Sequence, residues 1–547
     1  PWERWKHLTK HIHPCVLGSV NILQRTAFIA NKDQIELQVL CWEKDIGIGG
    51  LPKRDRMEEP SKRQYVLQNL PLRDYWAEYW KWKADQKLNP IRTKFMHAVL
   101  GWQRVGEYTQ LHFVWHMDYR GRLYSRGSGI NYMGSDPFRT QLRFEQSAPM
   151  DPHMEEFCMA LADAADVDGS PLQLANWCAQ HHEQIRRVGT DPLSYRAFWE
   201  NRKNPWRFVE LALEYECWCD DRLYETHSVF QLDQSTSAYG HTACLLRSDY
   251  LAGLTNVIGD QKRDIYTEVG IRAYELMKWK QIEPPLKHEA YSKSWWLEEF
   301  GVKQAIPRDL IKPLIMPLVY RISYQTMVDV INEWLADRLK NFLNRDGIRT
   351  IDLAHTLARY VHQASKEILP GIGALHKWLC AVAKIQMQQN LRPYWVTPNG
   401  LGVESYSTLK STEDIYLEVS GRSIRCSTRA DDTPEGMKLD VRKSTSQLSA
   451  DFCHSHDAAF LQRFIWHWGH TYEKPIVTIH DCAGTTLDNI ALMRKELPDQ
   501  FNRYYSEDHL GLMHRQLEKE LKVKIPAPPM EHSLQVDRIG ENPYLFT

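Results

Sequence analysis

Two short apolar runs each end in an aspartate: Ser228-Val229-Phe230-Gln231-Leu232-Asp233 and Ile476-Val477-Thr478-Ile479-His480-Asp481. Carboxylates delivered at strand ends can hold two divalent ions about 3.5–4 Å apart, the arrangement that stabilises both the attacking and the leaving oxygen of an in-line phosphoryl transfer. Taken singly, either aspartate reads as a turn or helix-cap residue. As a pair they differ, because small or polar residues follow both: Gln234-Ser235-Thr236-Ser237-Ala238 after the first and Cys482-Ala483-Gly484 after the second. Between them lies Arg308-Asp309-Leu310-Ile311-Lys312, with Tyr320 further along the same segment. Charge alone would make this a solvated amphipathic helix. The spacing argues for more: residues at these intervals drift slowly around one helical face, so the cations can address a triphosphate and the ring a base. Together these residues suit template-directed nucleotidyl transfer.

The elements that must position them are legible in outline. Residues 1–108 read as helical, with three- and four-residue apolar spacing from Asn21 to Trp42 and a Trp/Tyr-rich helix from Asp74 to Lys87. The Gly-, Pro- and charge-rich stretch from Asp45 to Lys62 separates the two. A strand-like run, Leu111 to Trp115, leads into Asp118-Tyr119-Arg120-Gly121-Arg122. Helical patterns then run from Asp151 to Arg222, interrupted at Pro171, Pro192 and Pro205, and resume after Asp233 to about Gln389. Tyr394-Trp395-Val396 and Ile415 to Val419 read as strands, with Ser420-Gly421-Arg422 as a hairpin tip and Ile424 to Thr428 as the return strand. A helix is expected from Ser455 to Trp468, ahead of the Asp481 strand. The expectation is a mainly α chain with a small antiparallel sheet carrying the aspartates.

Bulk properties set the bounds. A chain of 547 residues divides into several subdomains and builds a large core easily. Its formal net charge of -1 does not announce nucleic-acid binding, but a basic channel balanced by acidic outer faces gives the same sum. The 20 Trp and 25 Tyr should be mostly core, with a minority free to stack on bases. Eleven Cys lack a framework spacing, which favours reduced thiols. His11/His13/Cys15, Cys217/Cys219 and Cys453/His454/His456 fail the spacing of a structural zinc site. No stretch reaches the roughly 18 apolar residues of a membrane span, and no signal peptide opens the chain, so a cytoplasm-like compartment is expected. The first residue is Pro1 rather than Met, which points to processing or to an upstream segment.

At this point a resemblance enters. Asp118-Tyr119-Arg120-Gly121-Arg122 resembles the D-x-x-G-R element of the single-subunit, bacteriophage-type DNA-dependent RNA polymerases, a family with phage and mitochondrial members. Asp233 with Ser235, Ser237 and His241 resembles the family's motif A. Arg308, Lys312 and Tyr320 resemble motif B, and His480-Asp481 with Gly484 resembles motif C. Trp395-Val396-Thr397-Pro398, Phe452-Cys453-His454-Ser455 and the tail Tyr544-Leu545-Phe546 match further landmarks, in family order along nearly the whole chain.

The resemblance implies an α+β right-hand fold: thumb in 1–108, palm in 109–260 and 455–547, and fingers in 261–454. A specificity-loop-like hairpin would lie at about 407–440. It implies two Mg2+ ions on Asp233, Asp481 and the Gln234 carbonyl, and a triphosphate gripped by Lys312 and Arg308. Tyr320 would stack at the insertion site and, with His454, sense the ribose 2′-OH. Arg120, Arg122 and Arg139 become candidates for template or hybrid backbone contacts, and Asp118 and Tyr266 for substrate or nucleic-acid binding. Arg425, at the hairpin tip, becomes a candidate reader of a base edge. The partners would be a DNA template, the RNA transcript and NTPs, with no membrane. The location would be the cytoplasm of an infected bacterial host, or the virion.

Several departures from the family pattern stand out. Pro313 and Pro317 fall within motif B, where each removes a helix hydrogen bond and costs roughly 3 kcal/mol in a regular helix, so a kink is expected. Arg321 and Ala238 stand where the family usually has Gly. The family's N-terminal promoter-binding domain has no counterpart, so initiation on duplex promoters should be poor without a separate N-terminal subunit, an initiation factor, an upstream segment or a single-stranded template. An A-family DNA polymerase shares the motif skeleton, but carries a Glu where Ala238 leaves room for a ribose hydroxyl. A non-catalytic polymerase relative is the third reading, and a P-loop ATPase is disfavoured by the lack of G-x4-G-K-[ST].

Overall fold

The computed structural model describes residues 12–106, 109–127, 129–320, 322–338, 349–408, 412–419, 422–429 and 439–547. The chain is mainly helical, and its described strands form two- and three-stranded antiparallel sheets. The three-stranded sheet carries the aspartates. It consists of β1 (Phe230–Asp233), β2 (Val477–Ile479) and β3 (Cys482–Thr485), with β3 in the centre.

Four helices carry or support the residues of interest: α1 (Ser237–Leu246), α2 (Arg308–Ile315), α3 (Val441–Thr471) and α4 (Leu487–Tyr505), of which α4 packs on β1 and β3. α3 begins well before the expected Ser455, because Asp440 caps it by accepting the Lys443 N–H at 2.9 Å. The long interval from Asp151 to Arg222 is helical as expected. Pro171 and Pro205 sit in the first turns of their helices, where a missing N–H costs nothing, so they start helices rather than break them.

Two expectations shift near the start of the chain. The run from Asn21 to Trp42 is not one helix: Cys15–Arg25 and Lys32–Glu43 are separated by a strand, Phe28–Ala30, which pairs with Leu142–Phe144. The Thr26 hydroxyl donates to the Ile476 carbonyl at 2.9 Å, so a distant partner ends the first helix where local periodicity would continue it. The strand expected at Leu111 to Trp115 forms instead at Trp115–Met117, and Leu111 makes only an isolated bridge to Phe28. The aromatic load goes chiefly inward: Trp199, Trp206, Trp296, Trp395 and Trp468 are fully buried, whereas Trp80 and Trp279 are exposed. The described cysteines are free, and no single helix among the described residues is long and apolar enough to cross a membrane.

Candidate active site

β1 alternates buried Phe230 and Leu232 with Gln231 and Asp233, so Asp233 emerges on the cleft side at the strand's end. β2 and β3 form a hairpin in which Ile479 pairs with Cys482, leaving His480-Asp481 as its two-residue turn, with His480 at φ +56°. Cys482 in turn pairs with Asp233. Register alone therefore places Asp481 next to the residue opposite Asp233. Gly484 permits this close approach: a Cβ there would meet Val229 Cγ1 at 2.9 Å and the Phe230 carbonyl oxygen at 3.2 Å.

A second support comes from the far end of the chain. The Asp233 N–H donates to the Thr547 carbonyl at 2.9 Å, the Thr547 N–H donates back to the Asp233 carbonyl at 3.0 Å, and the Ser235 N–H reaches the Leu545 carbonyl at 2.8 Å. Leu545 and Phe546 are buried, which anchors this pairing. Asp233 opens onto the cleft yet has protein around most of it, and that desolvation, reinforced by the Asp481 carboxylate, raises its pKa to about 7. Two acidic groups repelling across a gap form a site that a cation would relieve. Among the described residues no cluster of three or more His, Cys, Asp or Glu is arranged for a metal.

α2 follows Pro307 and buries Leu310, Ile311, Leu314 and Ile315, turning Arg308 and Lys312 outward one turn apart. The Lys312 charge is felt at Asp233. Arg308 is held by Asp264, which accepts its Nε–H at 2.8 Å, and lies over the Tyr266 ring at 5.3 Å. Tyr266 is buried beneath that guanidinium and supports it. The helix ends at Ile315 and gives way to a 3-10 turn, Met316–Leu318. Tyr320 follows, its N–H donating to the Pro317 carbonyl at 3.0 Å. The three motif B residues therefore do not share one helical face: Arg308 and Lys312 do, and the prolines set Tyr320 apart. Its ring sits beside His454 of α3, with centroids 4.7 Å apart. The Tyr239 hydroxyl on α1 donates to the Ile315 carbonyl at 2.5 Å and ties the sheet side to the end of α2.

The D-x-x-G-R turn connects the strands Trp115–Met117 and Leu123–Ser125. Asp118 is its internal brace: one oxygen accepts the N–H groups of Arg120 (2.9 Å) and Arg122 (3.0 Å), and the other accepts Arg120 Nε–H (3.0 Å) and Nη2–H (2.8 Å). Gly121 takes φ +100°, and a Cβ there would press on Gln462 at 3.0 Å. Arg122 is paired with Asp457 of α3 through both carboxylate oxygens. Burial raises the Asp457 pKa to about 6 against the pull of that cation. Asp118, Arg120 and Arg122 are thus paired with one another and with α3.

Arg139 lies behind β1, where it donates to Gln231 Oε1 at 3.3 Å and lines a cavity of about 390 Å³. Its Nε has no partner among the described residues. Arg425 is in the body of the strand Arg422–Arg429, opposite Tyr416, rather than at the hairpin tip; the tip and the hairpin's side chains lie outside the described residues.

The sequence reading missed Asp451 and Asp457. Each stands three residues from His454 on α3, a spacing that puts all three on one side of the helix, facing Arg120 and Arg122. That spacing was the available signal. Lys203 was also missed; its charge reaches Asp233, but it comes from a loop with no pattern of its own.

Residues 157–542 match the family model described as DNA-dependent RNA polymerase. The chain is 23% identical over 571 aligned residues to a DNA-directed RNA polymerase of Pseudomonas phage phiKMV, covering 98% of this chain and 66% of that protein. It is 24% identical to the mitochondrial DNA-directed RNA polymerase of Homo sapiens, covering 79% of this chain and 35% of that one. The chain thus spans less than two thirds of these relatives. A solved structure, the POL domain of Pol1 from M. smegmatis in complex with DNA primer-template and dNTP, aligns at 11% identity and TM-score 0.41 over 90% of this chain and 67% of that one. With the family model matching well over half of its length, the chain belongs to the DNA-dependent RNA polymerase family.

Proposed function

We propose that the chain carries out DNA-templated RNA synthesis, adding ribonucleotides to an RNA 3′-OH and releasing pyrophosphate. The observation that carries this reading is the register of the three-stranded sheet, which sets Asp481 beside Asp233 while α2 presents Lys312 within electrostatic reach. In this reading Asp233, Asp481 and the Gln234 carbonyl hold two Mg2+ ions. Bound there, the ions would supply charge neutralisation and activation of the attacking hydroxyl. Lys312 and Arg308 bind the triphosphate and offset the charge that builds on the leaving pyrophosphate. Tyr320 and His454 face the sugar, and Ala238 leaves room for its 2′-OH. DNA template, RNA transcript and NTPs are the partners.

The subdomain reading follows the same plan: thumb in 1–108, palm in 109–260 and 455–547, fingers in 261–454. The palm would hold the carboxylates, and the fingers would bring α2 over them. Arg120, oriented by Asp118, joins the two through His454 and Asp451, while Arg122 ties the two parts of the palm through Asp457. A cavity of about 650 Å³ between Tyr320 and the start of α3, lined by Arg442 and Lys443, suits the path of a template strand.

Primer extension on an RNA–DNA hybrid scaffold with Mg2+, comparing NTPs with dNTPs, tests the proposal. Extension with NTPs alone is expected. Preference for dNTPs would transfer the chain's chemistry to DNA synthesis, and inertness with both would remove the catalytic reading.

A further inference from the structure

Arg120 is turned inward. Its guanidinium is clamped by Asp118, and its Nη1 lies 2.9 Å from His454 Nδ1 and 3.6 Å from Asp451 Oδ1. Asp451 also accepts the Tyr119 hydroxyl at 2.8 Å and the Ser405 hydroxyl at 2.7 Å, which closes the network on the side away from Tyr320. A guanidinium can only donate, so the imidazole nitrogen facing it must accept. The His454 proton therefore resides on Nε2. The other neutral tautomer would set one N–H against another, and so would the imidazolium. Burial, followed by the charges of Arg122 and Arg120, pushes the His454 pKa down to about 2 and keeps the ring neutral. No hydrogen bond to His454 Nε2 occurs among the described residues, and the ring lies beside Tyr320. One directed donor remains at the place where the sugar of an incoming nucleotide would lie.

We propose that Arg120 is a positioning residue for sugar selection: it fixes His454 as an Nε2–H donor, which recognises the 2′-hydroxyl oxygen as an acceptor. The assignment rests on the reading of this cleft as a ribonucleotide insertion site. It differs from a backbone contact in that Arg120 never touches nucleic acid and acts only through His454. Asp118 is part of the same device, because its two oxygens orient the guanidinium and the turn together.

Two measurements on the full chain separate this inference from the proposed function. The first is kcat/KM for an NTP and its matching dNTP on a hybrid scaffold, in wild type, Arg120→Met, Arg120→Lys, His454→Ala and the Arg120→Met/His454→Ala double variant. Arg120→Met should lower the NTP:dNTP ratio about tenfold, the scale of one hydrogen bond. Arg120→Lys, still a pure donor, should recover most of it. In the His454→Ala background Arg120→Met should change the ratio by less than about twofold. Equal losses for NTP and dNTP, or the same ratio change with and without His454, would overturn the proposal. The second is a long-range 1H–15N correlation of the histidine rings, with His454 assigned by its absence in His454→Ala. Protonated Nε2 is expected in wild type and a loss of that fixed state in Arg120→Met. A protonated Nδ1 in wild type overturns the role of Arg120 even if the chain polymerises. A correct tautomer in a chain that extends with neither nucleotide overturns the proposed function, and sugar selection with it.

Discussion

Asp233 is held by main-chain hydrogen bonds on both flanks, by β3 on one side and by Thr547 on the other, and Asp481 sits in the turn joining β2 to β3, whereas Arg308, Lys312 and Tyr320 hang from a segment whose ladder loses two donors to prolines. Pro313 cannot donate to Asp309, nor Pro317 to residue 313. The carboxylate end is fixed by register, which changes only in whole-residue steps that would flip every side chain. The nucleotide end is fixed by side chains: Asp264 and Tyr266 for Arg308, His454 for Tyr320. The difference matches the work proposed for each. A metal-binding pair must keep its spacing in every cycle, while groups that receive and release a nucleotide need to yield.

The sharpest way to break this contrast is Asp481→Asn, which keeps the turn's shape but removes one of the two charges. Extension should fall about a thousandfold or more, with hybrid binding in an anisotropy titration little changed. Retained extension would mean that the hairpin is not the catalytic end. Gly484→Ala tests the register itself. Its Cβ has no space between Val229 and the Phe230 carbonyl, so the strands must part, at a cost of roughly 1–3 kcal/mol. A lower Tm and an extension rate down by about tenfold or more are expected; wild-type values for both would show that close approach is not required. Pro317→Ala, in the 3-10 turn where the helix stops, probes the opposite end. It restores a helix donor, so Tm should hold or rise. The continued helix would carry Tyr320 away from His454, and KM for NTP should rise several-fold. An unchanged KM would make the break incidental.

How far the sequence reading reached follows the same division. The carboxylates were legible because an apolar strand ending in Asp, followed by small or polar residues, is a local pattern. Arg308 and Lys312 were legible as one turn of helix. The shared helical face expected for Arg308, Lys312 and Tyr320 does not exist: the helix ends at Ile315, and the Tyr320 ring reaches His454 from beyond the 3-10 turn. The pairing of Asp233 with Thr547 was beyond any local rule, since strand partners remote in sequence leave no periodicity to read. The ion-pair partners of Arg120 and Arg122 are not legible, because free and committed arginines look alike in a sequence. Only the fold brings Asp457 and Asp451 against them. The aspartates flanking His454 were visible as a helical spacing, but not what they faced.

The finest test of the contrast uses pH. A histidine at its ordinary pKa of about 6.5 would gain a proton at Nδ1 on mild acidification and repel Arg120. His454 has its pKa lowered to about 2 by burial and by Arg122 and Arg120, so its neutral form persists throughout the working range, and a change could begin only far into acid. The Tyr320 hydroxyl is shifted the other way: burial, joined by the nearby Cys453 and Asp457, raises its pKa, so it stays protonated into strong base. Neither group titrates between pH 6.5 and 8.5. The ratio of kcat/KM for NTP to that for dNTP should therefore stay within about twofold across that interval, even where each rate constant moves with pH. In Arg120→Met, the loss of one neighbouring cation should shift the His454 pKa upward. A tenfold change in the wild-type ratio with a midpoint between 6 and 7 would show that His454 titrates in the working complex, and the nucleotide end would then be an acid-sensitive site rather than one locked neutral by its two arginines.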